Sequence, residues 1–190
     1  VDVVGRHPET GIDEADIVKS DGEYLYILSG DTLFVVKAYP GEEAEIVSSL
    51  SIQGNPQELF IEGDRIAVFG NVDDNDLYEE IGVRPRSGLT FFSVYDMRDR
   101  TNLEELKSYH FEGRYDTARL IGSEVYFVTR SYPESRDVFP LPIILEDGVA
   151  RSLPVDDIFY VPHPYRNPEM ISAHRIDLNS LSKDVNSVSV

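Results

Sequence analysis

The sequence predicts an all-β fold and, within that class, a β-propeller segment made of three consecutive four-stranded antiparallel blades. The first observation is composition, because 9 Phe and 11 Tyr accompany many Val and Ile, which favour strands over helices. The second is an internal repeat, in which a strand, a glycine-containing tight turn and a strand return three times, around Gly22, Gly63 and Gly122. Glycine supplies the positive φ that such a turn needs.

The four strands of each predicted blade follow one another along the chain. Blade 1 covers about residues 15–53, blade 2 about 54–112 and blade 3 about 113–190. In each blade the hairpin around the repeated glycine supplies the first two strands, with first strands at 15–19, 58–61 and 118–121. The third and fourth strands are predicted at 33–38 and 45–52, at 90–96 and 104–111, and at 171–178 and 184–190.

A second part of the repeat recurs in the last two blades. Val94-Tyr95-Asp96 ahead of Thr101-Asn102-Leu103 matches Arg175-Ile176-Asp177 ahead of Asn179-Ser180-Leu181. The distance between the first two glycines lies within the roughly 40–45 residues of a WD40-type repeat. Radial repetition predicts this four-strand period and a Greek-key sandwich does not, although a sandwich stays open as an alternative.

Both later blades are lengthened between their second and third strands, at residues 71–88 and 131–170. Equivalent loops of successive repeats emerge on one side of a propeller, so we expect this side to carry most of the added surface and to be the working side. The alternative is that these loops only decorate or close a neighbouring blade.

Composition makes several classes of partner poor candidates. The formal charge of −18, from 35 acidic and 17 basic residues, repels nucleic acid and anionic lipid head groups. The acidic excess fits either a protein that works in concentrated salt or simply a soluble acidic surface. There is no Cys, which excludes disulfides and thiolate metal sites. No apolar run of about 18 residues occurs, so neither a membrane span nor an N-terminal signal is expected in these residues.

The beginning of the chain resembles a known family. Residues 11–26, Gly-Ile-Asp-Glu-Ala-Asp-Ile-Val-Lys-Ser-Asp-Gly-Glu-Tyr-Leu-Tyr, are similar to the opening of archaeal and bacterial secreted proteins whose β-propeller is distantly related to WD40 repeats. Residues 54–70 and 113–128 resemble the following blades of that family. The resemblance implies an extracellular or cell-surface protein, often archaeal, with no established reaction and no catalytic residues to transfer.

Three blades do not close a ring with ordinary geometry, because a propeller has about 4 to 8. Open blades expose unpaired backbone groups at their edges. We therefore expect missing blades, a retained second fragment or a second copy of the chain to complete the ring.

Sequence motifs for catalysis are scarce. There is no G-x-S-x-G nucleophile motif and no glycine-rich phosphate loop, and the four His residues are isolated from one another. The candidate metal ligands are Asp73, Asp74 and Asp76 in the first insertion, whose hard oxygens suit Ca²⁺. Their spacing is not that of an EF-hand, and the alternative interpretation is a solvated acidic loop.

The candidate binding residues are aromatic side chains of the second insertion. They are Tyr132, Phe139, Phe159, Tyr160 and Tyr165. Together with neighbouring prolines they form a stiff, partly apolar surface that either packs on a neighbouring blade or binds a protein or a sugar.

The function predicted from these observations is non-catalytic, in macromolecular binding or envelope assembly at the cell surface, with a protein or glycan as the partner. The alternative is an extracellular propeller enzyme, a glycan hydrolase or lyase, with its site at the central channel. Ionisable residues that converge on the axis would favour the enzyme, and an exposed aromatic surface would favour binding.

Overall fold

The structure is a computed structural model, and it describes residues 11–80, 82, 85, 87–132, 141–159, 169–183 and 185–190. The fold is all-β, and its strands form mainly antiparallel sheets. The strands are β1 (Ile12–Glu14), β2 (Val18–Ser20), β3 (Tyr24–Ser29), β4 (Thr32–Lys37), β5 (Glu45–Ser51), β6 (Asn55–Glu62), β7 (Arg65–Val72), β8 (Leu89–Asp96), β9 (Glu104–Glu112), β10 (Arg114–Ile121), β11 (Glu124–Ser131), β12 (Ile143–Glu146), β13 (Val149–Ser152), β14 (Met170–Asp177) and β15 (Asn186–Ser189).

The strands form three sheets, which differ in size. The first sheet has the order β2-β3-β4-β5, the second β13-β12-β9-β8-β7-β6 and the third β1-β10-β11-β14-β15. The sequence predicted four strands in each, whereas the sheets contain four, six and five. The difference comes from two additions, a hairpin on the second sheet and the strand β1 on the third.

The added hairpin β12–β13 comes from the second insertion and extends the neighbouring sheet. Leu145 of β12 pairs with His110 of β9, so the hairpin continues the second sheet beyond its predicted last strand. Lys107 anchors it through ion pairs with Glu146 at 2.7 Å and Asp147 at 2.6 Å. Part of the insertion thus extends a neighbouring sheet at its edge, which agrees with the alternative that the insertions decorate or close a neighbouring blade.

The repeated glycines lie at the predicted turns. Gly22, Gly63 and Gly122 all have positive φ, of 102°, 56° and 61°. They connect β2 to β3, β6 to β7 and β10 to β11, where an L side chain would strain the backbone. The three glycines therefore serve as reference points, from which corresponding residues of the three sheets can be counted.

The second sheet lies in the middle, with both faces buried. We call the face of a sheet that points to the next sheet along the chain its forward face, and the opposite one its backward face. Between the first and second sheets the core includes Tyr26, Leu33, Leu59, Val68 and Phe91. Between the second and third sheets it includes Phe69, Phe92, Phe111, Leu120 and Phe127.

The two ends of the sheets differ in their connections. At one end, which we call the turn end, lie the tight turns at the repeated glycines, and there Arg100 of the second sheet forms an ion pair at 3.2 Å with Asp21 of the first. At the other, the insertion end, Gln53 Nε2 donates to Asp74 Oδ2 at 2.9 Å between the same two sheets. Neighbouring sheets are thus tied together at both ends.

Helix is limited in the described residues to α1 (Asn75–Glu80) and two short 3-10 turns. In that part of the chain, no helix has the length and apolarity needed to cross a membrane.

Candidate functional site

The two insertions meet at the insertion end. The backbone N–H of Tyr132, just after β11, donates to Ser87 Oγ at 2.8 Å, and Ser87 belongs to the insertion after β7. The connections that follow β7 and β11 are therefore in contact here, as expected for equivalent loops of successive repeats.

Tyr132 is held in one orientation although its side chain is exposed. The residue is 56% exposed, and its hydroxyl donates to Glu169 Oε1 at 3.0 Å. This hydrogen bond raises the pKa of the phenol. Arg130 forms ion pairs with the same Glu169 at 3.3 Å and with Asp116 at 3.1 Å. The result is a fixed aromatic ring bordered by carboxylates and a guanidinium group. The ring can stack on an apolar surface of a ligand, and the charged groups can hydrogen-bond to the ligand around it.

The other predicted aromatic residues are only partly covered by the structure. Phe159 is 57% exposed, and its N–H donates at 2.7 Å to the carbonyl of Ser189, at the insertion end of β15. Phe139, Tyr160 and Tyr165 lie outside the described residues. Tyr132 and Phe159 thus lie at the same end of the third sheet, Tyr132 just after β11 and Phe159 beside the end of β15.

The acidic residues predicted as calcium ligands border a shallow cavity of about 430 Å³ beside Gln53 and Gly54. Asp74 accepts from the amides of Asp76 and Leu77 at 2.9 and 3.4 Å, so it caps α1. The Gln53 hydrogen bond, together with these amides, lowers the pKa of Asp74. Asp73 accepts from the Tyr78 hydroxyl at 3.1 Å.

These contacts give Asp73 and Asp74 local roles in the loop. Within the described ranges, no three His, Asp or Glu side chains are grouped so that they hold a metal ion. The calcium site therefore stays a prediction from sequence.

Charged residues also gather where the inner edges of the three sheets meet. Residues 12–20 run across these edges: β1 pairs with β10 of the third sheet, Asp16 bridges to Leu59 of the second, and β2 begins the first. Lys19 is nearly buried, pairs with Asp13 at 2.8 Å and lies 5.6 Å from the centre of the Phe60 ring. The N-terminal segment therefore covers the inner edges.

Two further pairs of ionisable groups lie at the inner edges. Arg119 forms an ion pair with Glu14 at 3.0 Å, and the Tyr115 hydroxyl donates to Glu58. Burial, and then the Glu58 contact, raise the pKa of Tyr115. These groups satisfy one another, which is typical of a structural network.

His174 lies in the core and not at a surface. Its ring contacts Thr129 Oγ1 at 3.1 Å and Ser187 Oγ at 2.8 Å, and it packs against the rings of Phe111 and Phe127. Burial lowers the pKa of His174 to about 3, so the ring is neutral at physiological pH. Both ring nitrogens contact hydroxyl groups, and the arrangement has no carboxylate to orient the ring as in a catalytic triad.

Comparison with known proteins gave two matches. A family model described as a beta propeller domain matches residues 7–190. An uncharacterized protein of Archaeoglobus fulgidus is 31% identical over 165 residues, which cover 84% of this chain and 25% of the relative. The chain thus spans about a quarter of the length of that relative. No solved structure matches the chain.

Proposed function

The chain belongs to the beta-propeller domain family, and on that premise we propose that it is a non-catalytic binding segment of a propeller that acts outside the cell or at its surface. In this proposal the insertion end contacts the partner, and the partner is a macromolecule of the cell envelope. The location is proposed from the resemblance of residues 11–26 to secreted proteins.

The blades of this proposal are the four consecutive strands in each sheet. They are β2 to β5, β6 to β9, and β10, β11, β14 and β15, within the predicted boundaries of about 15–53, 54–112 and 113–190. The hairpin β12–β13 and the strand β1 are additions to the outer edge of the second blade and the inner edge of the third.

The observation that supports the binding function most strongly is the hydrogen bond between Tyr132 and Ser87, which brings the two insertions into contact. A repeated sheet needs only a tight turn between its second and third strands, such as the turn that joins β3 to β4 in the first sheet. The longer connections are therefore not required by the fold itself. They present Tyr132, an exposed ring that Glu169 and Arg130 hold in place, so little conformational entropy is lost on binding.

We propose a neutral glycan as the partner class. A chain with a formal charge of −18 repels acidic polysaccharides as it repels other polyanions. An aromatic ring bordered by carboxylates and a guanidinium suits a neutral sugar, whose ring face is apolar and whose hydroxyls are hydrogen-bonding groups.

The test compares two exposed tyrosines at opposite ends of the molecule. Tyr132 lies at the insertion end, and Tyr39, which is 69% exposed, follows β4 at the turn end. Binding to a panel of neutral oligosaccharides is measured by calorimetry for the original chain, Tyr132→Ala and Tyr39→Ala. We expect at least a tenfold loss of affinity for Tyr132→Ala and no change for Tyr39→Ala. Absence of binding to every neutral glycan, or equal effects of the two substitutions, would contradict the proposal.

The same samples test the enzyme alternative. The glycans are recovered after incubation and their masses are measured, because hydrolysis or elimination would shorten them. Cleavage that Glu58→Gln abolishes would assign a reaction to the inner edges and overturn the non-catalytic function.

A further inference from the structure

A small polar cavity lies between the second and third sheets. Its volume is about 20 Å³, and its wall combines Tyr109 of β9 with residues in and beside the connection from β14 to β15. The polar residues of the wall are Tyr109, Arg175, Asp177, Ser180, Lys183 and Asn186. The cavity therefore has hydrogen-bonding groups of two different sheets around it.

The hydroxyl group of Tyr109 is buried beside this cavity. Tyr109 is 0% exposed, and its hydroxyl makes no hydrogen bond with the residues that the structure describes. Burial, and then the charge of Glu146, raise the pKa of Tyr109 to about 12, so the hydroxyl keeps its proton at physiological pH. A buried hydroxyl without a partner destabilises a fold, and nearly all such groups in proteins have one.

The repeat shows that the fold itself does not require a hydroxyl at this position. Counted from the repeated glycines through the strand registers, the residues equivalent to Tyr109 are Leu50 of the first sheet and Val188 of the third. Both have aliphatic side chains. The phenol is therefore a feature of this one interface between sheets, and not of the repeated unit.

The charged groups of the wall are already paired, which favours a neutral occupant. Arg175 forms an ion pair with Glu124. Asp177 pairs with Lys183 at 3.2 Å and accepts a hydrogen bond from Ser123 Oγ at 2.9 Å. An ion of either sign would have to compete with one of these pairs, whereas a neutral molecule would not.

The size of the cavity limits the occupant further. A cavity needs about 10–15 Å³ to hold one water molecule, and the water needs 2 to 4 polar partners. A volume of about 20 Å³ meets the first condition and is far too small for a sugar or a nucleotide. The polar wall meets the second condition.

We propose that this cavity is a binding site for a single water molecule, which hydrogen-bonds to the Tyr109 hydroxyl and to polar groups of the third sheet. The water links the second sheet to the connection between β14 and β15. It supplies the partner that the phenol lacks among the described side chains and backbone groups.

The sign of the stability change in Tyr109→Phe tests this site. If a water satisfies the hydroxyl, its removal loses hydrogen bonds, and the equilibrium constant for unfolding should rise about fivefold in a urea titration. If the hydroxyl has no partner, the same substitution removes an unsatisfied buried group and the constant should fall. Tyr95→Phe is the matched control, because Ser93 and Glu105 contact that hydroxyl and its removal should raise the constant. A constant that is unchanged or lower in Tyr109→Phe would overturn the proposal.

A second measurement detects the water itself in solution. Oxygen-17 relaxation dispersion counts the internal water molecules that exchange more slowly than the protein tumbles. We expect one fewer in Tyr109→Phe than in the original chain, and an unchanged number in Tyr95→Phe. Equal numbers in the original chain and Tyr109→Phe would overturn the proposal. Crystals grown in sodium bromide test for an ion, and an anomalous peak beside Tyr109 would overturn the neutral occupant.

Discussion

The turn end and the insertion end are built on the same strands, yet they differ in almost every connection. At the turn end the three sheets use the same glycine turn, and Asp21 and Arg100 join the first two sheets. At the insertion end each sheet has a different connection, and the connection after β11 of the third sheet begins with the exposed ring of Tyr132. Repetition is thus retained where a turn must be tight, and the variable end carries the surface that distinguishes this protein.

The core between the second and third sheets also differs between the turn end and the insertion end. Toward the turn end the backward face of the third sheet contains Leu120, Val125 and Ile176. Toward the insertion end it contains buried hydroxyl groups, at Thr129, Ser131, Ser172 and Ser189. The packing is therefore apolar beside the repeated turns and polar beside the insertions.

The largest expected effect is at Gly70, and it tests whether the strands at the insertion end tolerate substitution as the loops there do. A Cβ at Gly70, inside β7, would lie 2.1 Å from the Asn55 carbonyl oxygen and 2.8 Å from Pro56 Cα. Gly70→Ala should therefore lower the free energy of unfolding by about 3 kcal/mol or more, measured by urea titration. Gly122→Ala meets no atom within 4 Å and should cost about 1 kcal/mol from its positive φ alone. Equal losses would mean that the strands relax at the insertion end.

A matched pair of aspartates compares the two ends directly. Asp21 accepts hydrogen bonds from the amides of Glu23 and Tyr24 and from the Tyr26 hydroxyl, at 3.0, 2.8 and 2.9 Å. Asp21→Ala leaves Tyr26 and Arg100 without this partner and should cost about 2 kcal/mol of unfolding free energy. Asp74→Ala loses the cap of the short helix α1 and should cost about 1 kcal/mol. A larger cost for Asp74→Ala in the same urea titration would reverse the comparison.

Acid should lower the free energy of unfolding through His174, which lies in the hydroxyl-rich part of the core. Because the pKa of His174 is lowered to about 3 in the folded state, the unfolded chain binds more protons between that value and its own pKa of about 6.5. Stability should thus fall as the pH drops from about 6.5 toward 3, with a slope of up to about 1.4 kcal/mol per pH unit.

The check is the unfolding free energy as a function of pH for the original chain and His174→Asn. The variant should lack most of this slope, although it is less stable at pH 7. Burial alone would raise the pKa of Asp21, but the amides of Tyr24 and Glu23, with Tyr26 and Arg100, lower it. Its contribution is complete above the unfolded pKa of about 3.9 and is lost only below it, so of these two groups only His174 changes stability between about pH 3.9 and 6.5. An unchanged slope in His174→Asn would contradict the assignment.

The smallest expected effect is at the exposed tyrosines. Tyr132→Ala and Tyr39→Ala should each change the free energy of unfolding by less than about 0.5 kcal/mol, because neither ring is packed in the core. Thermal unfolding followed by circular dichroism measures both. A clear loss for Tyr132→Ala would show that the ring supports the fold, and its role in binding would then be in doubt.

Much of the fold was predictable because its signals are local. The glycine turns and the alternating strands around them place β2 to β11 close to where the sequence indicates. The hairpin β12–β13 also has a local signal, Asp147-Gly148 between two short strands, but nothing in the sequence indicates its pairing with β9. The strand β1 has three residues, and its partner β10 is distant in sequence, so no periodicity reveals the pair.

The candidate site was predictable only in part. The position of the insertions indicated the surface on which Tyr132 and Phe159 lie. The contact of Tyr132 with Ser87 and Glu169 depends on how two sheets pack, which composition and spacing do not encode. The paired charges around Lys19 were missed for the same reason, since Asp13 and Phe60 approach it from two other sheets.

Native-state hydrogen exchange tests the difference between the two ends most directly. At the turn end the amides of Met97 and Leu178 donate to Asp64 and Ser123 at 2.9 and 2.8 Å. At the insertion end Tyr78 and Tyr132 donate to Asp74 and Ser87 at 3.1 and 2.8 Å. The account predicts that the first pair exchanges only by global unfolding, and that the second pair exchanges by local opening at a free energy lower by about 2 kcal/mol or more. Equal protection at both ends, or stronger protection at the insertion end, would contradict it.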